Sequence, residues 1–331
     1  MIYRGDPLTG LKILGTGSCV PNHSVTNQML ETVVDTSDDW ISSRTGIRSR
    51  CIANGDTNLT MAKAAAERAI EAAGIKNSDI EVVLCATITN EYVTPSLSCL
   101  LQRELGLNEE VLAFDINAAC SGFVYALNTA HSLLQKTSNK YALVVGSEVL
   151  SKIMDFTDRN TCVLFGDGSG AVVVKLSRRM PFLFNSGARG DNLVLNCPAI
   201  YESNNPFSQN TNEKKAGFLQ MDGSEVFRFA VESIKKSIMA LLEKAQVSPE
   251  EIDHYVLHQA NSRIICTAAK RLGAPIERFF MNIEKRGNTS AASIPIALDE
   301  MRTSGRLKRG DKLVLSGFGG GLTYGSVYMA W

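Results

Sequence analysis

The sequence predicts an α/β fold made of two similar halves. Three observations carry that expectation. Short, continuously apolar runs of strand length alternate with longer stretches whose apolar residues recur at helical spacing. Strand and helix follow one another in a β-α-β-α order, the sign of sheets buried on both faces. The second half then repeats the order of the first at a near-constant separation of about 170 residues.

The elements follow in chain order. Leu59 to Ala73 is rich in alanine with apolar residues at helical spacing, and Gly74 ends it as a helix C-terminal glycine does. Val82 to Thr87 is a short apolar strand, Leu112 to Ile116 a second, and Tyr141 to Val145 a third, with a helix over Gly122 to Leu134 between the last two. In the second half, Val226 to Leu242 reads as a helix. Ser248-Pro249-Glu250-Glu251-Ile252-Asp253 then leads into the strand Tyr255-Val256-Leu257, as Asn77-Ser78-Asp79-Ile80-Glu81 leads into Val82. Ile70 matches Leu242, Ala73 matches Ala245 and Ile80 matches Ile252. Further on, Tyr125-Ala126-Leu127 matches Ile296-Ala297-Leu298, and Leu143-Val144-Val145 matches Leu313-Val314-Leu315. A duplication of this kind predicts paired halves, residues 1–177 and 178–331, with a site where they meet. Residues 178–220 are polar and asparagine-rich, and are expected to carry loops.

Composition narrows the function. Thirty-four basic and 34 acidic residues leave no formal net charge, so nothing draws the whole chain to nucleic acid or to an anionic membrane. An acidic partner must meet a local patch. Eight cysteines, at 19, 51, 85, 99, 120, 162, 197 and 266, form no CxxC pair and no zinc spacing. Several lie in apolar runs, so they are expected to be free, buried thiols in a reducing compartment, the cytoplasm. The first residues hold no signal-peptide pattern, and no apolar run approaches the ~18 residues of a membrane span.

Four features could carry chemistry. Cys120 stands between the strand ending near Asn117 and the helix beginning near Ser121. There the helix dipole is expected to lower its pKa and favour the thiolate, although most cysteines are simply buried. His258 ends the strand Tyr255-Val256-Leu257, where ligand sites gather in open α/β sheets, although an isolated histidine is often a satisfied core residue. His23 lies in a loop, His131 on a helix and His254 just before the strand. Asn288, within Gly287-Asn288-Thr289-Ser290-Ala291-Ala292-Ser293, could donate its amide to a developing oxyanion or could serve only as a helix cap. The run Gly317-Phe318-Gly319-Gly320-Gly321-Leu322-Thr323-Tyr324-Gly325 is neither a phosphate loop nor a dinucleotide fingerprint, which leaves close backbone approach to a substrate oxygen.

In these residues and their order, the chain resembles the thiolase-fold condensing enzymes, and within them the β-ketoacyl-acyl-carrier-protein synthase III family. The likeness runs nearly end to end. It covers Gly15-Thr16-Gly17-Ser18, Thr36-Ser37-Asp38-Asp39-Trp40-Ile41, Arg44-Thr45-Gly46-Ile47-Arg48, Ala119-Cys120-Ser121-Gly122-Phe123 and Phe165-Gly166-Asp167-Gly168. It continues through His258-Gln259-Ala260-Asn261, the Gly287–Ser293 stretch and the final glycine run. The resemblance implies a five-layer αβαβα sandwich of two duplicated halves, with Cys120, His258 and Asn288 as the catalytic triad. The implied reaction is a decarboxylating condensation. Cys120 takes an acyl group from acyl-CoA, and malonyl-acyl carrier protein then supplies the carbon nucleophile. The N–H groups of Cys120 and Gly320 would form the oxyanion hole. No metal, flavin or nicotinamide cofactor is implied.

The same likeness implies that Trp40 and Arg159 flank the CoA adenine, with Thr36, Arg44 and Asn261 along the CoA path. Arg263, Lys270 and Arg271 would receive the acidic carrier protein, although they could be no more than a solvated helix face. Thr87, Leu150, Leu164, Phe165, Met221 and Phe318 would wall the acyl pocket. At Thr94, where acetyl-preferring members carry phenylalanine, the smaller side chain implies a deeper pocket across a homodimer interface. The rivals are a relative with another starter or acceptor, a thioesterase using Cys120 and His258, and a non-catalytic acyl-binding protein.

Overall fold

Residues 10–138, 141–178, 180–199 and 217–331 are described by the structure, a computed structural model. Strand β1 (Gly10–Cys19) opens the first half. A small hairpin-like pair, β2 (Ser24–Thr26) and β3 (Ser49–Cys51), brackets the short helices α1 (Asn27–Glu31) and α2 (Asp38–Thr45). Then come α3 (Asn58–Ala73), β4 (Ile80–Ala86), α4 (Leu97–Glu104), β5 (Leu112–Ile116), α5 (Gly122–Leu134), β6 (Tyr141–Glu148) and β7 (Gly168–Ser177). The second half runs β8 (Phe182–Asp191), β9 (Leu195–Asn196), β10 (Gln220–Met221), α6 (Gly223–Ala245), β11 (His254–Leu257), α7 (Ser262–Leu272), α8 (Ile283–Arg286), α9 (Ser293–Thr303), β12 (Lys312–Gly319) and β13 (Gly321–Ala330).

The two sheets share one topology. The first has the order β1-β7-β6-β4-β5, and the second, read from the equivalent edge, β8-β13-β12-β11. In both, the first two pairings are antiparallel and the next is parallel. Where β5 pairs with β4, the second sheet has a single parallel bridge, Tyr255 to Phe279.

Burial sorts the helices into layers. Val124 and Leu127 of α5, with Ile294 and Leu298 of α9, pack between the inner faces of the two sheets, against Leu84 and Val144 on one side and Leu315 and Val327 on the other. Ala62 and Ala66 of α3 and Leu101 of α4 cover the outer face of the first sheet. Ile234 and Ile238 of α6 and Ile265 of α7 cover that of the second. The result is a five-layer αβαβα sandwich of two like halves. Among the described residues, no helix is long and apolar enough to cross a membrane.

Several local expectations meet their structure with differences. The helix begun at Leu59 has Thr57 as its N-cap, with a reciprocal bond from Thr60, and Gly74 closes it in the left-handed conformation. His254 is the first residue of β11 rather than the residue before it, and its Nε2 lies 3.2 Å from Asp311. The stretch 178–220 carries more than loops: residues 182–191 form β8, a ten-residue strand along β13. Its glycines and polar residues hid it, and long-range contacts hold it extended: the ladder with β13 and hydrogen bonds from Tyr125 and Ser237. Residues 200–216 of that stretch lie outside the described residues.

The Gly15–Ser18 motif is a joint. Thr16 and Ser18 each donate to Asp299 at 2.7 Å, tying β1 to the central helix α9.

Candidate active site

Cys120 sits in the short 3-10 turn Ala119–Ser121 that feeds α5. Ala119 holds φ at 43°, a left-handed conformation uncommon for a residue with a side chain. The end of β12 presses on this turn. A Cβ on Gly319 would come within 2.8 Å of Cys120 Cβ and 3.0 Å of its sulfur, so this position accepts only glycine without a shift. Two hydroxyls lock the approach. Ser121 Oγ and Thr323 Oγ1 are 2.7 Å apart; Ser121 donates to the Ala118 carbonyl, and the Thr323 hydroxyl lies within reach of both Ala118 O and the nearer Gly320 O, either of which can take its one hydrogen. Thr323 lies within the glycine-rich motif, but nothing in the sequence marks its hydroxyl for this role.

His258 follows β11 directly, and its backbone N donates to Ser316 O of β12 at 2.8 Å. The ring is 1% exposed and meets Phe318 edge-on at 5.2 Å. Ser293 Oγ lies 2.7 Å from Nδ1 and accepts from Gln259 N at 3.4 Å. A hydroxyl oxygen can accept twice, so this contact fits either tautomer; with the serine donating to Nδ1, the ring's own hydrogen would sit on Nε2.

Asn288 is clamped by its backbone. Its N donates to Leu164 O at 2.9 Å, and its carbonyl accepts from Gly166 N at 3.0 Å. Oδ1 accepts from Ser290 N at 2.9 Å, which orients the amide and leaves Nδ2 as the donor. Asn288 therefore braces the backbone entering the turn Ser290–Ala292 with its oxygen, while Thr289 stands at the cap position and the Asn288 nitrogen stays available. Ser290 repeats the backbone of Ala119, with φ at 47°, and its turn feeds α9 as the Cys120 turn feeds α5.

Electrostatics correct one expectation. The helix dipole was to lower the Cys120 pKa; instead, burial pushes the thiol up to about 12. Part of the residue faces the cleft, but protein surrounds the sulfur. A helix terminus is worth about 0.3–2 kcal/mol, while a rise of this size corresponds to roughly 4 kcal/mol, so desolvation wins. Burial also lowers His258 to about 3, which keeps the imidazole neutral.

Cys120, His258, Asn288 and Gly320 line one cleft of about 1230 Å³ at the seam of the two halves. Trp40, Arg44, Asn261, Leu150, Leu164, Phe165, Met221 and Phe318 line it too. The apolar end packs on Leu150, Met154, Phe165 and Leu219, with Ile88, Ile153 and Leu195 beside them. Arg159 does not line the cleft. It lies with its guanidinium 5.1 Å from the Trp40 ring centroid, and Arg44 lies 4.9 Å from it, so Trp40 is already stacked by arginine. Thr36 Oγ1 is buried without a partner, off the cleft wall. Asn261 caps α7 and donates to Arg44 O at 3.0 Å, which docks α2 on α7 beside the cleft.

Two of the expected acyl-pocket residues lie elsewhere. Thr87 is buried behind the cleft, accepting from Asn58 Nδ2 at 3.0 Å and donating to Glu148 Oε2 at 3.3 Å. Thr94 is exposed on the loop before α4. Arg263, Lys270 and Arg271 stand exposed along α7, whose Ile264 reaches the cleft. All eight cysteines are free, but Cys99, Cys197 and Cys266 are exposed, against the expectation of buried thiols. The sequence also passed over Glu148, Ser290 and Ser293, which surround the three expected residues from behind.

Comparison with known proteins agrees with this geometry. Residues 114–189 match the family described as 3-oxoacyl-[acyl-carrier-protein] synthase III, and residues 242–331 match its C-terminal part. A β-ketoacyl-[acyl-carrier-protein] synthase III of Clostridium botulinum is 46% identical over 98% of this chain and 99% of its own length. The crystal structure of the 3-oxoacyl-[acyl-carrier-protein] synthase III of Aquifex aeolicus superposes with a TM-score of 0.89 at 44% identity, covering 97% of this chain and 100% of that one. The priming β-ketosynthase of the R1128 polyketide pathway has a TM-score of 0.89 at 36% identity, with 96% of each chain covered. With the fold, the cleft and the full-length likeness in agreement, this chain belongs to the β-ketoacyl-acyl-carrier-protein synthase III family of condensing acyltransferases.

Proposed function

We propose that the chain joins an acyl-CoA starter to malonyl-acyl carrier protein by a decarboxylating condensation, through an acyl group carried on Cys120. The observation that supports this most is the convergence of a thiol, a neutral imidazole and an oriented amide on one cleft. In this reading the Cys120 sulfur attacks the acyl thioester, and the N–H groups of Cys120 and Gly320 receive the oxyanion. CoA leaves and the malonyl thioester enters. His258 Nε2–H and Asn288 Nδ2 then donate to its carbonyl oxygen, stabilising the enolate left when carbon dioxide departs. That carbon attacks the acyl group on Cys120 and releases β-ketoacyl-acyl carrier protein.

Substrate handling follows the same reading. Trp40 with Arg44, Arg159, Thr36 and Asn261 binds CoA. For its adenine to stack between Trp40 and Arg159, the arginine must swing off the ring. The exposed Arg263, Lys270 and Arg271 receive the acidic carrier protein beside the mouth. The enzyme acts in the cytoplasm as a homodimer. β5 is the outer strand of its sheet, and Leu112, Phe114, Tyr92 and Val93 near it are exposed, which suits a second copy.

The test uses two steps. Labelled acyl-CoA should leave its acyl group on Cys120, and malonyl-acyl carrier protein should then discharge it as β-ketoacyl product. A Cys120→Ser enzyme that forms product at the unaltered rate would refute the mechanism, and release of free acid alone would point to a thioesterase.

A further inference from the structure

His258 is a poor base for the Cys120 thiol. The ring is buried, which holds it neutral with a pKa of about 3, and its Nδ1 is taken up by the Ser293 hydroxyl. Cys120 needs another acceptor.

Glu148 ends β6 behind the nucleophile and is wholly buried. Its Oε2 is saturated, accepting from Thr89 Oγ1 at 2.6 Å, Ile88 N at 3.2 Å and Thr87 Oγ1 at 3.3 Å. Its Oε1 is buried with no partner at all. Ser290 Oγ is likewise buried without a partner, and Ser290 lines the cleft. Ser290 stands close enough to both Cys120 and Glu148 to hold down the pKa of each, although neither contact closes to hydrogen-bond geometry in this conformation. Buried orphans of this kind call for an explanation.

Resting on the reading of Cys120 as the nucleophile, we propose that Glu148 accepts the Cys120 thiol proton through the Ser290 hydroxyl. In acylation the S–H bond breaks and its proton passes to Ser290 Oγ, whose own proton passes to Glu148 Oε1. The sulfur forms its bond to the acyl carbon, and the CoA thiolate leaves and is protonated by solvent. In condensation the Cys120 sulfur leaves as thiolate, and Glu148 returns the proton by the same path. No oxidation state changes.

Charge counting favours this route. Burial raises Glu148 to about 7, and its charge in turn raises the thiol. Losing the thiol proton to solvent beside a carboxylate would place two negative charges in a buried site. Passing it to the carboxylate keeps one. The side chains facing Glu148 are uncharged: Thr87 and Thr89 from the loop after β4, Ser290 from the turn before α9, and Asn58 of α3 behind Thr87. Asp167, beside its ladder partner Gly168, is engaged by Ala53 and Ser151, and Asp299 of α9 by Thr16 and Ser18.

The test is the pH profile of Cys120 alkylation by iodoacetamide in the full chain, read peptide by peptide by mass spectrometry. The rate in the unaltered enzyme should climb with a midpoint near 7, set by Glu148. Glu148→Gln and Ser290→Ala should both lose that limb and slow alkylation at pH 7.5 by roughly ten- to a hundredfold. Ser290→Ala keeps the carboxylate, so it decides the matter even if Glu148→Gln folds poorly. A carboxylate that only repels the thiolate predicts the opposite sign, and equal or faster alkylation in either variant overturns the proposal. A Cys120 that resists alkylation at every pH, while Cys99 and Cys266 react, overturns the nucleophile reading itself, so the two failures are distinct.

Discussion

Ser293 Oγ lies 2.7 Å from His258 Nδ1, and by donating there it would hold the ring's hydrogen on Nε2, as the proposed donor role needs. Ser293→Ala should therefore let the hydrogen move to Nδ1 in part of the population. Condensation should slow by about tenfold or more. Acylation of Cys120 should be nearly unchanged, because the ring is not its base. Single-turnover measurement of the two half-reactions separates these effects.

Gly319→Ala places a methyl group 2.8–3.0 Å from the Cβ and sulfur of Cys120. The backbone on both sides is held, so the strain cannot relax cheaply. Stability should fall by about 1–3 kcal/mol, read as a lower midpoint in urea. Acyl transfer should fall much further than the folded fraction does.

Glu148 and His258 give opposite pH dependences of stability. Glu148 has its pKa raised from 4.5 to about 7 on folding. Its contribution is present below 4.5 and is lost as the pH rises through 7. His258 is lowered from 6.5 to about 3, so its contribution is present above 6.5 and is lost as the pH falls through 3. Glu148→Gln should therefore gain stability relative to the unaltered chain between pH 4.5 and 7, by up to roughly 3 kcal/mol, and should track it above that window. Urea unfolding at a series of pH values checks the slope. A difference that does not change with pH would contradict the buried carboxyl.

Thr94→Phe tests the acyl pocket across two copies of the chain. Thr94 is exposed within one copy, so it can matter to chain length only by reaching a partner. The substitution should shift acceptance from longer acyl-CoA toward acetyl-CoA. Phe114→Asp, on the outer strand β5, should yield monomers in sedimentation and remove the effect of residue 94. If monomers keep the same chain-length profile, the pocket is built by one copy alone.

The readable part of this protein was the part governed by local pattern. Helix α5 and strand β5 matched their expected limits because apolar spacing and a flanking Gly122 marked them. Cys120 and His258 stood out because each comes just after a strand. What stayed hidden depends on contacts from far along the chain. Glu148 follows Ser147 at the end of an apolar strand and looks like an ordinary exit to solvent, yet the segments at residues 87–89 and 290 enclose it. The resemblance puts Thr87 in the pocket wall, but its hydroxyl turns away from the cleft to Asn58 and Glu148. The thiol's environment was misjudged for a similar reason: a helix end is visible in sequence, whereas the protein closing over the sulfur is not. Cys99 and Cys266 are exposed because each stands on the outward side of a helix that covers a sheet.

The same bent corner occurs twice, at Ala119 and at Ser290, each at the head of one of the two central helices. One step beyond, the two part company: Cys120 follows the first and Ala291 follows the second. In the proposed reaction the labour is divided, one corner supplying the reactive sulfur and the other presenting Asn288 and Ser290 to it. A symmetric frame thus yields a site with a single working direction, and the one-sidedness lies in a few side chains rather than in the scaffold.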